Sequence, residues 1–383
     1  MNQSAFADIE NLDRNFKSES PADGLCWIDA FDPRIALRGH GWREEATAAR
    51  SFRRFPDRGV GELSEAVQRL SFCPASVFLS FYTDASEIAV RVCNSDTGLM
   101  NHMPRTGSAG VELYVRDGRD WVPLAVAVPP GENRMFERGL IAGVAPRRRE
   151  YRLYLPLYKA LEELSIGVSP GATVEAAPAP ASARPIVFYG TSVTQGGCAN
   201  TSGSDFVSLI GQMLEVDTIN LGFSGNGKGE PEVARLISEI DAELFVLNYA
   251  SNCDVERLRR TLPGFYQILR DAHPETPIVF LGSDAWNIMS WSVEKRRLLM
   301  ERRDIQMRFY LDTKAAGDRN VHWIDGEGIL PPRIPGSFVD GVHPTSAGFM
   351  LMAQRLAPHL AMIRHWEAER LHGGGLFRDS SKA

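Results

Sequence analysis

Ser192, in Gly190-Thr191-Ser192, and His343, in Asp340-Gly341-Val342-His343, are residue types that together activate a hydroxyl. A serine becomes a nucleophile when a neighbouring base takes its proton, and histidine is the side chain whose ordinary pKa suits that task near neutrality. Asp340, three residues before His343, supplies the carboxylate that holds an imidazole in one tautomer. Acyl transfer also needs donors aimed at the oxyanion of the tetrahedral intermediate. The Gly-rich turn from Asn220 to Gly227 offers the Gly225 N–H beside that of Ser192, and Asn252 offers an amide side chain. Asn248, four residues earlier, is the alternative amide. A strand-end serine alone more often caps a helix or folds a turn. The combination predicts serine-dependent acyl transfer through an acyl-enzyme, with Ser192 as nucleophile, His343 as base and Asp340 as orienter. Ser192, Gly225 and Asn252 are the expected oxyanion donors.

These residues need a scaffold that brings distant loops together. Ile186–Tyr189, Thr218–Leu221, Leu244–Asn248, Ile278–Leu281 and Val321–Ile324 are short apolar runs, each read as a buried parallel strand. Between and after them lie helical patterns. Val255, Leu258, Leu262, Phe265 and Leu269 share one face, as do Phe349, Met352, Leu356, Leu360 and Ile363. Alternating strands and helices predict a three-layer α/β/α domain over 186–363 with a five-stranded parallel sheet. Active residues of such sheets sit on turns leaving the strands' carboxyl ends. Upstream, residues 21–168 have a different texture of short β-type runs and turns, such as Ser76–Tyr82, Glu87–Val92, Val111–Val115, Trp121–Val126 and Tyr151–Leu155. The Asp117-Gly118 pair between two of these runs signals a hairpin. This region is expected to be an all-β sandwich, serving as a structural cap or a binding module. The Ala/Pro-rich stretch 169–185 is read as an extended linker, 1–20 as a polar arm and 364–383 as a C-terminal tail.

The 383 residues are 44% hydrophobic and 23% charged, as in soluble globular proteins. A net charge of −6 argues against nucleic acid or an anionic membrane as partner. Met1–Glu10 resembles no signal peptide and no stretch is long and apolar enough to span a bilayer, so a cytoplasmic setting is expected. Five scattered cysteines, at 26, 73, 93, 198 and 253, lack metal-ligand spacing and read as reduced thiols; no metal and no cofactor are expected. Gly222 to Lys228 fits the P-loop spacing Gly-x4-Gly-Lys, but Gly229 stands where a magnesium-binding hydroxyl is required. The glycines are better explained as a close-approach turn.

Gly190-Thr191-Ser192, Ser224-Gly225-Asn226, Asn248 to Asn252 and Asp340 to His343 resemble, in order and spacing, the four blocks of the SGNH (GDSL-like) hydrolases. Thr191 replaces that family's usual Asp, which lies outside its triad. The resemblance implies a flavodoxin-like SGNH domain and the site roles given above. Met103 to Tyr114 resembles the Gly-x-Asp-Leu-Tyr signature of sandwich domains that precede one SGNH subfamily, with Glu112 in the Asp position. This resemblance would place the 100–114 loop at the active-site mouth, where His102 or Arg105 could touch substrate. Trp286 and Trp291, after the fourth strand, could line an acyl or acceptor pocket or serve only in packing. The triad leaves the acceptor open: water makes an esterase, a bound hydroxyl an acyltransferase. In layout the chain is similar to two-domain acyltransferases of the family that act on polyketides. The expected partners are a small-molecule acyl donor, acyl-CoA or another thioester, and a small-molecule hydroxyl acceptor. Esterase action on an acylated sugar or other small ester is the alternative, and an inactive sugar-binding protein a third reading that an unreactive Ser192 would revive.

Overall fold

The computed structural model describes residues 12, 13 and 20–371, apart from 97, 132, 181, 183 and 285. In the N-terminal half, ten strands form two antiparallel sheets: β1 (Cys26–Asp29), β2 (Ala36–Arg38), β3 (Phe78–Thr83), β4 (Ile88–Asn94), β5 (Val111–Asp117), β6 (Asp120–Ala127), β7 (Met135–Ile141), β8 (Arg149–Tyr154), β9 (Leu161–Val168) and β10 (Val174–Ala176). One sheet has the order β1-β9-β4-β7; the other runs β10-β3-β8-β5-β6, with β2 also paired to β3. Leu79, Phe81, Val90, Leu113, Leu153 and Ile166 fill the space between them. The Asp117-Gly118 turn closes the β5–β6 hairpin, with Asp117 opposite Asp120 and Gly118 at φ +58°.

The second half carries β11 (Ile186–Gly190), β12 (Thr218–Gly222), β13 (Leu244–Asn248), β14 (Ile278–Leu281) and β15 (Val321–Ile324). They form one parallel sheet in the order β12-β11-β13-β14-β15. Every residue of β11, β12 and β13 is buried, as a sheet covered on both faces requires. Phe206–Leu214 and the long helix Ser346–Leu371 cover one face through Phe206, Ile210, Phe349, Met352 and Leu356. Val255–Ala272, begun by Asp254 accepting from the Arg257 N–H, buries Leu258, Leu262, Phe265 and Leu269 on the other.

Three boundaries differ from the sequence reading. Residues 40–71 add no strand to the sandwich, although Ala46 and Phe52 pack into its core. They form helices Arg43–Ala49 and Glu65–Ser71 around a 3-10 turn, and Trp42, Phe55, Val60 and Val67 join the core that covers the parallel sheet. Local β-pattern reasoning does not see this long-range partner. The stretch 169–185 is not a free linker throughout, because its extended Val174–Ala176 pairs antiparallel with β3 and satisfies part of its open edge. The helix expected to end near 363 continues to Leu371, and Arg364 sits 3.0 Å from the Glu243 carboxylate. The polar arm and the last twelve residues of the tail lie outside the described residues, except Leu12, Asp13 and Ser20.

The two halves meet along the Gly110–Tyr114 segment. Glu112 is buried and accepts a 2.7 Å hydrogen bond from the Gly203 N–H, and the Ser202 hydroxyl donates to the Gly110 carbonyl at 2.6 Å. A Cβ on Gly203 would lie 2.7 Å from the Tyr114 ring, so β5 docks directly on the loop that follows the nucleophile. Burial pushes the Glu112 carboxyl up to about 7 from an ordinary 4.5, against hydrogen bonds that lower it. The unfolded chain therefore releases this proton first. The group weakens the fold as pH rises from about 4.5 to about 7, and its effect is constant above that. Glu112→Gln removes this dependence, so its melting temperature relative to wild type should rise between about pH 5 and 7 and then level off. A difference constant with pH would contradict that assignment.

Candidate active site

Ser192 begins the short helix Ser192–Gln195 directly after β11, with the Thr191 hydroxyl capping it by accepting from the Val193 N–H. Its Oγ lies 2.9 Å from His343 Nε2, and His343 Nδ1 lies 2.7 Å from Asp340 Oδ2. The loop bearing both residues is pinned on two sides. Val339 N–H donates to the His343 carbonyl, and Asn287 N–H donates to that of Gly341, which turns at φ +79°. Burial would raise the Asp340 pKa, but the His343 amide and ring and the Val342 amide outweigh it and hold the carboxyl at about 2. Asp340 thus stays an anion that favours His343 with its proton on Nδ1, leaving Nε2 to accept from Ser192. This is the arrangement that activates a serine for attack on an acyl carbon.

The turn after β12 lies beside this chain. Gly222 N–H donates to Asn220 Oδ1, Phe223 N–H to the Gly190 carbonyl, Ser224 N–H to Gln195 Oε1, and Asn226 and Gly227 N–H to the Phe223 carbonyl. The Gly225 amide takes part in none of these bonds. Gly225 sits at φ +68°, and a Cβ there would meet nothing within 4 Å, so it faces open space. Asn252 Nδ2 reaches the Gly227 carbonyl at 3.2 Å and that of Phe223 at 3.4 Å, which places its amide against this turn. Asn248 is buried instead, accepting from the Thr194 hydroxyl and donating toward the carbonyls of Leu281 and Gly282. Gly222 and Gly227 of the P-loop-like string serve close packing: a Cβ on Gly227 would stand 2.0 Å from the Gly190 carbonyl oxygen.

Four residues were candidates for lining the site, and the structure separates them. The exposed His102 ring lies with its centroid 5.8 Å from that of His343. Arg105 does not reach the site: its Nη1 donates to the carbonyls of Pro129 and Gly131, bracing a sandwich turn. Trp286 packs with Met289, Leu299 and Met300 and is a packing residue. Trp291 is 68% exposed, with the Arg333 guanidinium 4.9 Å from its ring.

Sequence reasoning missed two residues of the N-terminal half. Tyr158, just after β8, points its hydroxyl at the Ser192 carbonyl at 3.5 Å. Arg54 is buried in the helical segment. It donates through Nη1 to the carbonyls of Asn220 at 2.9 Å and Gly222 at 2.8 Å, and through Nη2 to that of Leu70 at 2.9 Å. Its guanidinium also lies 4.6 Å from the centre of the Phe223 ring. Burial lowers its pKa to about 10, still protonated at neutral pH. One arginine among many, in Arg53-Arg54, carries no sequence signal of this role.

Residues 183–361 match the GDSL-like lipase/acylhydrolase family, and residues 25–174 match the GxDLY domain found at the N-terminus of SGNH-hydrolase-type esterases. Residues 183–361 thus carry a GDSL-like lipase/acylhydrolase domain preceded by the GxDLY domain, and the protein is an esterase or acyltransferase by class. Among solved structures it is similar to a Bacteroides ovatus protein described as a GDSL-like lipase, at 26% identity and TM-score 0.82, over 89% of this chain and 98% of that one. It shares its fold with the salicylyl-acyltransferase SsfX3 from a tetracycline biosynthetic pathway, at 21% identity and TM-score 0.72, over 89% of this chain and 98% of the other. A family two carbohydrate esterase from Clostridium thermocellum, solved with cellohexaose, has the fold at 16% identity and TM-score 0.56, over 76% of this chain and 93% of the other. No curated protein sequence matches the chain.

Arg54→Met should leave the carbonyls of Asn220 and Gly222 without their buried donor and loosen the turn that presents Gly225. Initial-rate kinetics on the folded variant should show kcat reduced toward the about 10²-fold loss of a missing oxyanion donor, with KM little changed. An unchanged kcat would separate Arg54 from the site.

Proposed function

We propose that the protein transfers an acyl group, through an acyl-enzyme on Ser192, from a thioester donor such as acyl-CoA to a hydroxyl of a small molecule such as a polyketide. The observation that supports the chemistry is the continuous hydrogen-bonded chain from Ser192 Oγ through His343 to Asp340. In this reading His343 takes the serine proton as the hydroxyl attacks the acyl carbon, then gives it to the departing thiolate. The Ser192 and Gly225 amides and the Asn252 side chain hold the oxyanion. The acceptor hydroxyl repeats the sequence in reverse, losing its proton to His343. Support for an acceptor other than water comes from the fold shared with the salicylyl-acyltransferase SsfX3. A thioester donor implies a cytoplasmic setting.

A second reading is hydrolysis of an acylated sugar or other small ester, favoured by the fold shared with the Clostridium thermocellum carbohydrate esterase. Intact-protein mass followed over time with a panel of acyl-CoAs separates the two. An adduct that persists in water and is discharged by an added hydroxyl compound is the expected result; rapid release of free acid would make the protein an esterase. Ser192→Ala should abolish turnover and form no adduct. Asn252→Ala should lower kcat by about 10²-fold or more while altering KM less. Full activity in Ser192→Ala would end both readings.

A further inference from the structure

Beside Ser192, four side chains with metal-binding atoms converge. His102 comes from the sandwich loop, Cys198 from the turn after the nucleophile's helix, and Asp340 and His343 from the catalytic loop. One ligand atom from each lies within 4.8 Å of all the others, and no second such cluster occurs among the described residues. The sequence gives no hint of it, since the four positions lack the short spacing of a metal motif.

We propose that this cluster binds a thiophilic divalent cation, zinc foremost, which holds the enzyme in an inactive state. The donor set is the first argument. A thiolate with imidazoles and one carboxylate suits zinc and other soft or borderline metals, and not magnesium or calcium. Geometry is the second. Zinc bonds of about 2.0–2.3 Å put tetrahedral ligand atoms about 3.3–3.8 Å apart, a spacing near the 4.8 Å or less that the four atoms already have. His102 is exposed and can swing inward, whereas Cys198 is buried and set by a backbone at φ +73°. Binding releases the Cys198 proton to solvent, and the imidazoles coordinate unprotonated.

The consequence follows from the overlap with the proposed triad. A lone pair that His343 gives to the metal is withdrawn from catalysis, and an Asp340 oxygen on the metal no longer orients the ring. Because His102 belongs to the N-terminal half, the ion also ties the two halves together across the mouth of the site. The inhibitory part rests on the acyl-transfer reading above; the binding part does not.

Cobalt(II) tests the binding part without any substrate, because a thiolate on cobalt gives a charge-transfer absorption. Titration of the wild type should develop this band with one equivalent of cobalt, and Cys198→Ser should lack it while keeping its fold and basal turnover. Zinc should displace the cobalt and stop turnover, a chelator should restore it, and Cys198→Ser should need at least about tenfold more zinc for the same inhibition. No band in the wild type, or an equal band in Cys198→Ser, would overturn the site. A band with unimpaired turnover at full zinc occupancy would overturn the inhibitory role. Failure to find turnover with any acyl donor would count against the acyl-transfer reading alone, and the cobalt titration would still decide the metal site.

Discussion

The carboxyl end of β11 is where three stretches of backbone come closer than side chains would allow. A Cβ on Gly190 would stand 2.1 Å from the Thr194 hydroxyl and 2.7 Å from the Asn248 carbonyl; one on Gly222 would stand 2.2 Å from the Gln195 amide. These contacts seat the helix that begins at Ser192 against the turn that carries Gly225. They also explain the glycine string that imitates a phosphate loop. Its small residues let backbone meet backbone, while the P-loop's magnesium hydroxyl has no counterpart at Gly229. Any side chain at Gly190 or Gly227 would separate nucleophile from turn, whatever happened to the hydrogen bonds further out.

Onto this junction the rest of the chain fastens the remaining parts of the chemistry. The catalytic loop is far from Ser192 in sequence and reaches it through the bridge between Phe338 and Pro344 and the Asn287–Gly341 hydrogen bond. The N-terminal half contributes as much. Gln195 links the Ser224 amide to the Leu157 carbonyl, Arg54 grips the carbonyls at the end of β12, and Tyr158 approaches the Ser192 carbonyl. The half read from sequence as a cap or a binding module therefore braces the backbone that carries Ser192 and the Gly225 turn. The Gly110–Tyr114 motif that marks it works through Glu112 as a docking strut.

Much of this was legible in the residues. All five parallel strands were placed within a residue, because each is a short apolar run closed by turn residues, and buried strands leave no other pattern. Ser192, His343 and Asp340 could be picked out because their chemistry requires those types and strand-end placement. Asn252 and Asn248 could not be separated in sequence; in the structure Asn248 is sealed between β13 and β14, and Asn252 borders the Gly225 turn. What stayed hidden depends on long-range packing. The helices at 43–71 are short, and their apolar residues are explained only by long-range contact with the parallel sheet and, for Ala46 and Phe52, with the sandwich core. Arg54 and Cys198 look ordinary in sequence and gain meaning from neighbours more than a hundred residues away. Arg105 shows the converse error, a charged residue in a suggestive loop whose guanidinium is used to brace that loop.

The account stands on Ser192 being activated by His343. Labelling with a fluorophosphonate, followed by peptide mapping, tests this most directly, because the reagent reports an activated serine without a guess about substrate. The account predicts one phosphonyl group on Ser192 in the wild type, none in Ser192→Ala, and labelling slowed by orders of magnitude in a folded His343→Ala. Modification at another residue, or a rate that ignores the loss of His343, would contradict it.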